Sequence, residues 1–205
     1  MRQENRLKRQ SEIEQAAYAL LREQGYGSIS MLKIAKRAKA SNETLYRWYG
    51  DKAGLFRALV AKNAVEARAL LERAATTKTG AKQVLVSLGP VLLGILLGPH
   101  AIALNQAAAA DPSGALGQAI AAAGRQSIMP LITQLMARGI DDADLPGFEA
   151  DALAELYLTL LVGDLQIRRA IGQMAPPDKA FLQQRADQTL EQLLSLSARS
   201  GKRTG

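Results

Sequence analysis

Three helix starts fall within 22 residues of this 205-residue chain, and that crowding restricts its fold more than any other feature. In the run SISMLKIAKRAKASNETLYRWYGDKAGLF at 28–56, Ser30, Ser41 and Asp51 each stand where a side-chain oxygen can cap a following first turn. Ser30 opens a short helix to about residue 38, whose inward face is read as Leu32, Ile34, Ala35 and Ala38. Ser41 opens a second, 42–49, with Leu45 inward, and Asp51 a longer third through Leu55, Phe56, Leu59 and Val60. Two short helices, a tight turn and a connecting helix make a helix-turn-helix. Its second short helix, cationic and aromatic, suits the DNA major groove while its neighbour braces against the backbone.

The spacing of these residues resembles a known family. Ile34-Ala35-Lys36-Arg37-Ala38, then Ser41-x-x-Thr44-Leu45-Tyr46-x-Trp48-Tyr49, then Lys52-x-x-Leu55-Phe56, preceded by Ala16-Ala17, Leu20-Leu21 and Gly25-Tyr26, is similar to the DNA-binding domain of TetR-type (tetracycline-repressor-like) transcriptional regulators. The resemblance covers about residues 10–60. Lys39 departs from it, since the family usually has Gly at the inter-helix turn; a left-handed conformation there costs a non-Gly residue about 1 kcal/mol.

The resemblance implies an all-α homodimer, with a helix-turn-helix domain at 1–50 joined by a connecting helix (about 52–75) to an effector-binding and dimerisation domain at 51–205. It implies a transcriptional regulator on a roughly palindromic double-stranded DNA operator, most often a repressor released by a small molecule. In the family pattern Tyr46 and Lys52 hold the DNA backbone, while Asn42, Glu43, Thr44, Arg47 and Trp48 face the groove or its phosphates. Chemically, Asn42 suits adenine, Glu43 cytosine, and Arg47 guanine or phosphate. Lys52 lies in a first helical turn, where unpaired N–H groups and the helix dipole also favour phosphate. Ser30, Lys33 and Ser41 are further phosphate partners. Plainer readings stand beside these: an i,i+4 pair of Glu43 with Arg47, and core packing for the Tyr46 ring. Leu32 and Ile34 are expected in the core. Arg2, Arg6, Lys8 and Arg9 form either an arm toward phosphates or the minor groove, or a solvated terminus.

Charge supports the nucleic-acid reading. Residues 1–60 hold 12 Lys/Arg against 6 Asp/Glu, whereas 61–205 hold 14 against 13, so nearly all of the net +7 sits on the proposed DNA-binding segment. The absence of cysteine excludes disulfides and thiolate sites, and a single His excludes a multi-histidine metal site. No nucleophile–base pair or phosphate-binding Gly motif points to an enzyme, and no cofactor or metal is implied. Residues 1–9 are polar and basic rather than a leader, which suggests the cytoplasm.

Beyond the motif there are no strand signals. Helices are expected at about 7–24, 81–97, 99–110, 114–138, 149–172 and 178–198, making about nine with those of the motif and the connecting helix. Their breaks are Gly98-Pro99, Asp111-Pro112-Ser113-Gly114, the acidic 140–147 and Ala175-Pro176-Pro177-Asp178. Pro90 and Pro130 fall inside helices and should kink them. The stretch 83–110 carries no charge, and 84–104 has the length of a membrane span. Gly89, Pro90, Gly94, Gly98, Pro99 and His100 cut it into shorter pieces, however, and cationic anchors are missing from its ends, so a buried helix pair and no membrane is the reading preferred.

The Ala/Leu/Val/Ile lining of 81–138 suits an apolar or amphipathic effector, with His100, Asn105 and Gln106 as candidate polar contacts; capping or packing is the plainer role for His100. Phe148, Ala152, Leu156, Leu160, Gly163 and Ile167 step by three or four, as do Leu182, Ala186, Leu190 and Leu193. Such stripes ordinarily mean core. In the TetR-type arrangement they pair with their copies as a four-helix bundle, Gly163 admitting a close backbone approach. GDLQIRRAIG at 163–172 also resembles the ending of AefR-like members.

Overall fold

A computed structural model describes residues 2–77, 79–145 and 148–200, without the side chains of residues 2, 3 and 196–200. The side chains of Arg2 and Arg199, together with Lys202, Arg203 and the Pro146-Gly147 pair, therefore lie outside the described residues.

Among the described residues all regular structure is helical, as the sequence leads one to expect. The elements are α1 (Arg2–Gln24), α2 (Met31–Arg37), α3 (Asn42–Tyr49), α4 (Lys52–Asn63), α5 (Val65–Thr76), α6 (Ala81–Leu96), α7 (Pro99–Ala109), α8 (Ala115–Ala123), α9 (Arg125–Asp141), α10 (Ala150–Val162), α11 (Leu165–Ala170) and α12 (Lys179–Ser200). Joining the pairs interrupted at Ala64, at Gly124 and at Gly163-Asp164 recovers the nine expected helices. Two of the breaks have a local cause. A Cβ at Gly124 would lie 2.8 Å from the Ile120 carbonyl oxygen, and Gly163 turns with φ +48°. The single helices expected over about 52–75, 114–138 and 149–172 are thus each corrected to two, and Gly163 serves a turn inside the chain.

The chain forms two compact units, Met1–Asn63 with His100–Arg125, and Ala64–Pro99 with Gln126–Gly205. In the first, Ile13, Ala17 and Leu21 of α1, Ile34 of α2, Leu45 of α3 and Leu55, Phe56 and Leu59 of α4 are buried together with Leu104 and Ala107 of α7 and Leu116 of α8. Each large side chain so enclosed contributes about 1.5–3 kcal/mol of burial. The expectation for Leu32 is overturned: it is 50% exposed. Because α2 begins at Met31, its i, i+3, i+4, i+7 stripe is Met31, Ile34, Ala35 and Ala38, all buried, and Leu32 falls off that stripe.

In the second unit, α6 lies along α12. Gly89 makes this possible, since a Cβ there would stand 2.6 Å from that of Ala186. Leu85, Leu88 and Leu93 meet Ile132 and Met136 of α9, Leu153, Tyr157 and Leu161 of α10, and Leu193 of α12 in one core. Pro90 and Pro130 sit inside α6 and α9 without ending either. No single helix among the described residues is long and apolar enough to cross a membrane.

Arginines close several helix ends. Arg138 donates to the carbonyls of Ala74 in the last turn of α5 and of Thr77 and Thr79 beyond it, Arg169 to Leu97 after α6 (3.2 Å), and Arg185 to Leu160 and Leu161 of α10. The last carbonyls of a helix have no intrahelical donor, so a guanidinium fork meets a standing need.

Candidate nucleic-acid interface

The first unit places α3 by its two ends. At the start, Ser41 Oγ accepts from the Thr44 backbone N–H (3.0 Å) and shares a hydrogen bond with the Thr44 hydroxyl (2.7 Å). At the end, Gly50 takes φ +76° and donates its N–H to the Tyr46 carbonyl (2.9 Å). Asp51 then caps α4 as expected, accepting from the Gly54 N–H at 2.5 Å. Ser30 does the same for α2, accepting from the Lys33 N–H at 3.2 Å. Leu45 is fully buried beneath α3, which leaves Asn42, Glu43, Tyr46 and Arg47 exposed on its outer side and Thr44 and Trp48 half-buried at its edge. Tyr46 is 50% exposed, so its ring is not consumed by the core.

The turn between α2 and α3 carries the anticipated strain. Lys39 adopts φ +50°, in the left-handed region where Gly would be free of Cβ clash. Arg9 of α1 holds this turn, donating to the carbonyls of Ala38 (3.3 Å) and Lys39 (3.2 Å) while pairing with Glu12 at 2.8 Å. Arg37 makes a two-pronged pair with Glu23 of α1 (2.5 and 2.8 Å), fixing α2 on α1. That hydrogen-bonded guanidinium holds the Glu23 carboxyl below its usual range.

Two proposed phosphate contacts are already engaged within the protein. Lys52 Nζ donates to the Tyr26 carbonyl at 3.0 Å and sits 4.1 Å from the centre of the Tyr26 ring. Lys33 Nζ donates to the Ser28 carbonyl (2.7 Å) and to Gln24 (3.1 Å). An ammonium has three donors, so each retains capacity for a phosphate, but each also positions the backbone beside it.

Sequence reading missed the role of Arg9, because its partners lie 29 and 30 residues away; the non-Gly turn at Lys39 was the available signal. It also missed Arg6, whose guanidinium stands over the Trp48 ring at 5.6 Å.

The other candidates fall as follows. His100 is exposed at the first turn of α7 and stacks on Tyr18 of α1, ring centres 4.0 Å apart and planes 11° from parallel. Desolvation lowers its pKa, and Tyr18, desolvated and accepting from Asn63 (3.0 Å), is raised to about 12. Asn105 is half-buried and Gln106 exposed on the same helix. Of the proposed dimer residues, Ala186 and Leu193 are buried within the protomer, Leu156, Leu160, Leu182 and Leu190 are half-buried, and Ile167 is 64% exposed.

Residues 13–59 match the family model for bacterial regulatory proteins of the tetR family. An uncharacterized HTH-type transcriptional regulator, YdeS of Bacillus subtilis (strain 168), is 48% identical over 40 residues, a match covering 20% of this chain and 20% of that relative's length. Among solved structures, a TetR transcriptional regulator from Agrobacterium tumefaciens superimposes with a TM-score of 0.67 at 26% identity, over 92% of this chain and 93% of that one. The transcriptional regulator FadR from Bacillus subtilis, solved in complex with stearoyl-CoA, gives 0.69 at 19% identity, over 90% and 97%, and shows likeness of fold. Residues 13–59 thus carry a tetR-family helix-turn-helix by sequence, and the fold over nearly the whole chain is like that of solved TetR-type regulators.

Proposed function

We propose that the protein is a homodimeric, cytoplasmic repressor that binds a roughly palindromic DNA operator and leaves it when an apolar or amphipathic small molecule binds. Residues 1–50 act as the DNA-binding domain and 51–205 as the effector and dimerisation domain. One observation carries the reading: the outer side of α3 presents Asn42, Glu43, Tyr46 and Arg47 to solvent while Leu45 anchors the helix from beneath. Phosphate contacts from Ser30, Lys33, Ser41 and Lys52 fix its register, and base contacts from α3 supply sequence preference. Two copies of α3 would enter successive major grooves about 34–36 Å apart.

The effector works by preferring the released arrangement, since equal affinity for both states shifts nothing. An amphipathic effector is supported by the apolar helices of 81–138 and by the stearoyl-CoA held on the same fold in Bacillus subtilis FadR.

Selection of bound sequences from random duplex DNA tests the core of the proposal. A palindromic consensus is expected, and Asn42→Ala or Arg47→Ala should relax preference at particular positions by about 1–3 kcal/mol. Failure of the folded protein to retain any duplex would end the reading. Retention with unchanged preferences in both variants would move base recognition away from these side chains.

A further inference from the structure

We propose that the first turns of α1 belong to the DNA interface: Arg6 and Lys8 hold a phosphodiester strand in a cleft they share with α3. The inference rests on the DNA-binding reading and extends it to an element outside the helix-turn-helix.

The cleft has a volume of about 710 Å³. One wall is α1, with Asn5, Arg6, Lys8, Arg9 and Glu12; the other is the strained turn and α3, with Lys39, Ala40, Ser41, Thr44, Arg47 and Trp48. Five of its side chains are cationic and one is acidic. That carboxylate, Glu12, is paired with Arg9 at 2.8 Å, and Arg9 spends its remaining reach on the carbonyls of the turn. Arg6, Lys8, Lys39 and Arg47 are left as a cationic group around an open groove, all four exposed.

Four exposed cations around one groove give it a positive potential that draws in an anion. Arg6 is held in place by standing over Trp48, which reduces the rotamer freedom its guanidinium would lose on meeting a phosphate. The occupant follows from continuity. Ser41, Thr44, Arg47 and Trp48 line the cleft and also form one edge of the helix offered to the groove, so DNA lying against α3 brings its own backbone to the cleft. The donors are spread along two elements rather than converging on a point, which suits an extended polyanion better than a compact one.

The test measures affinity for a random duplex and for a selected operator as a function of salt, using Lys8→Gln, Arg6→Gln/Lys8→Gln and Arg6→Lys. Lys8 is exposed, so its variant should melt as the parent does. Lys8→Gln should lower the slope of log K against log salt by roughly 0.9 per subunit and the double variant by about twice that, with Arg6→Lys retaining most of it. Random and selected DNA should weaken by equal factors, leaving the preferred sequence intact. An unaltered slope in the folded double variant overturns the proposal while sparing the DNA-binding function. A wild-type protein that holds no duplex at any salt overturns both. If slopes are unaltered and pyrophosphate raises the melting temperature of the parent but not of the double variant, the cleft is a small-anion site and the proposal is wrong.

Discussion

At the scale of single residues, the turn of the helix-turn-helix shows a local misfit carried by a distant partner. Lys39 holds φ +50° with a side chain, and Arg9 grips the carbonyls of Ala38 and Lys39, which flank the Lys39 Cα. Lys39→Gly removes the Cβ conflict, worth about 1–2 kcal/mol, and adds back roughly 0.4–1 kcal/mol of unfolded-state freedom. A net gain between zero and about 1.6 kcal/mol is expected in urea unfolding, with the Arg9 bonds intact because they reach backbone oxygens. A loss of stability would show that Lys39 contributes through its side chain. Gly54 is the opposite case: a Cβ there would lie 2.0 Å from the Tyr49 carbonyl oxygen, so only Gly fits. Lys52 joins these as a residue with two duties, since its ammonium is bound to Tyr26 whatever it also does for DNA.

At the scale of elements, what was legible in the sequence is what depends on near neighbours. The caps at Ser30, Ser41 and Asp51, the burial of Leu45 and the Gly25 end of α1 all follow from spacings of four residues or fewer. The error at Leu32 was a phase error, corrected once Ser30 fixes Met31 as the first helical residue. The broken helix over 149–172 was hidden because the apolar stripe continues across Gly163, and a stripe records burial rather than continuity. The long-range closures were not legible at all: Arg138 reaches carbonyls 59 to 64 residues away, and no periodicity encodes such a pairing. Arg138→Met keeps the apolar stem and removes the donors at the end of α5. It should lower stability by about 1–3 kcal/mol, measured by denaturant midpoint, and should increase amide exchange in α5 and the 77–80 connection.

At the scale of the whole molecule, the proposed dimer separates two kinds of apolar residue along α10–α12. Leu193 is fully buried in the protomer, whereas Ile167 is 64% exposed and Leu156, Leu160 and Leu190 are half-buried. A charge at Leu193 should therefore unfold the second unit, while Ile167→Asp should yield a folded species of half the mass by sedimentation, with weaker operator binding because linked half-site engagement is lost. An Ile167→Asp protein that stays dimeric at low micromolar concentration would move the interface elsewhere. Function and packing also divide the chain differently. The helix-turn-helix ends by residue 50, yet its core is completed by Leu104, Ala107 and Leu116, from a segment that begins at His100. The order of synthesis then matters. The ribosome must deliver 62 more residues after Asn63 before the first unit has all its helices, a delay of about 3–12 s at roughly 5–20 residues per second. Through that interval Val60, which stands close to Gly124 in the finished unit, awaits its partner, so the helix-turn-helix is made well before its core is complete.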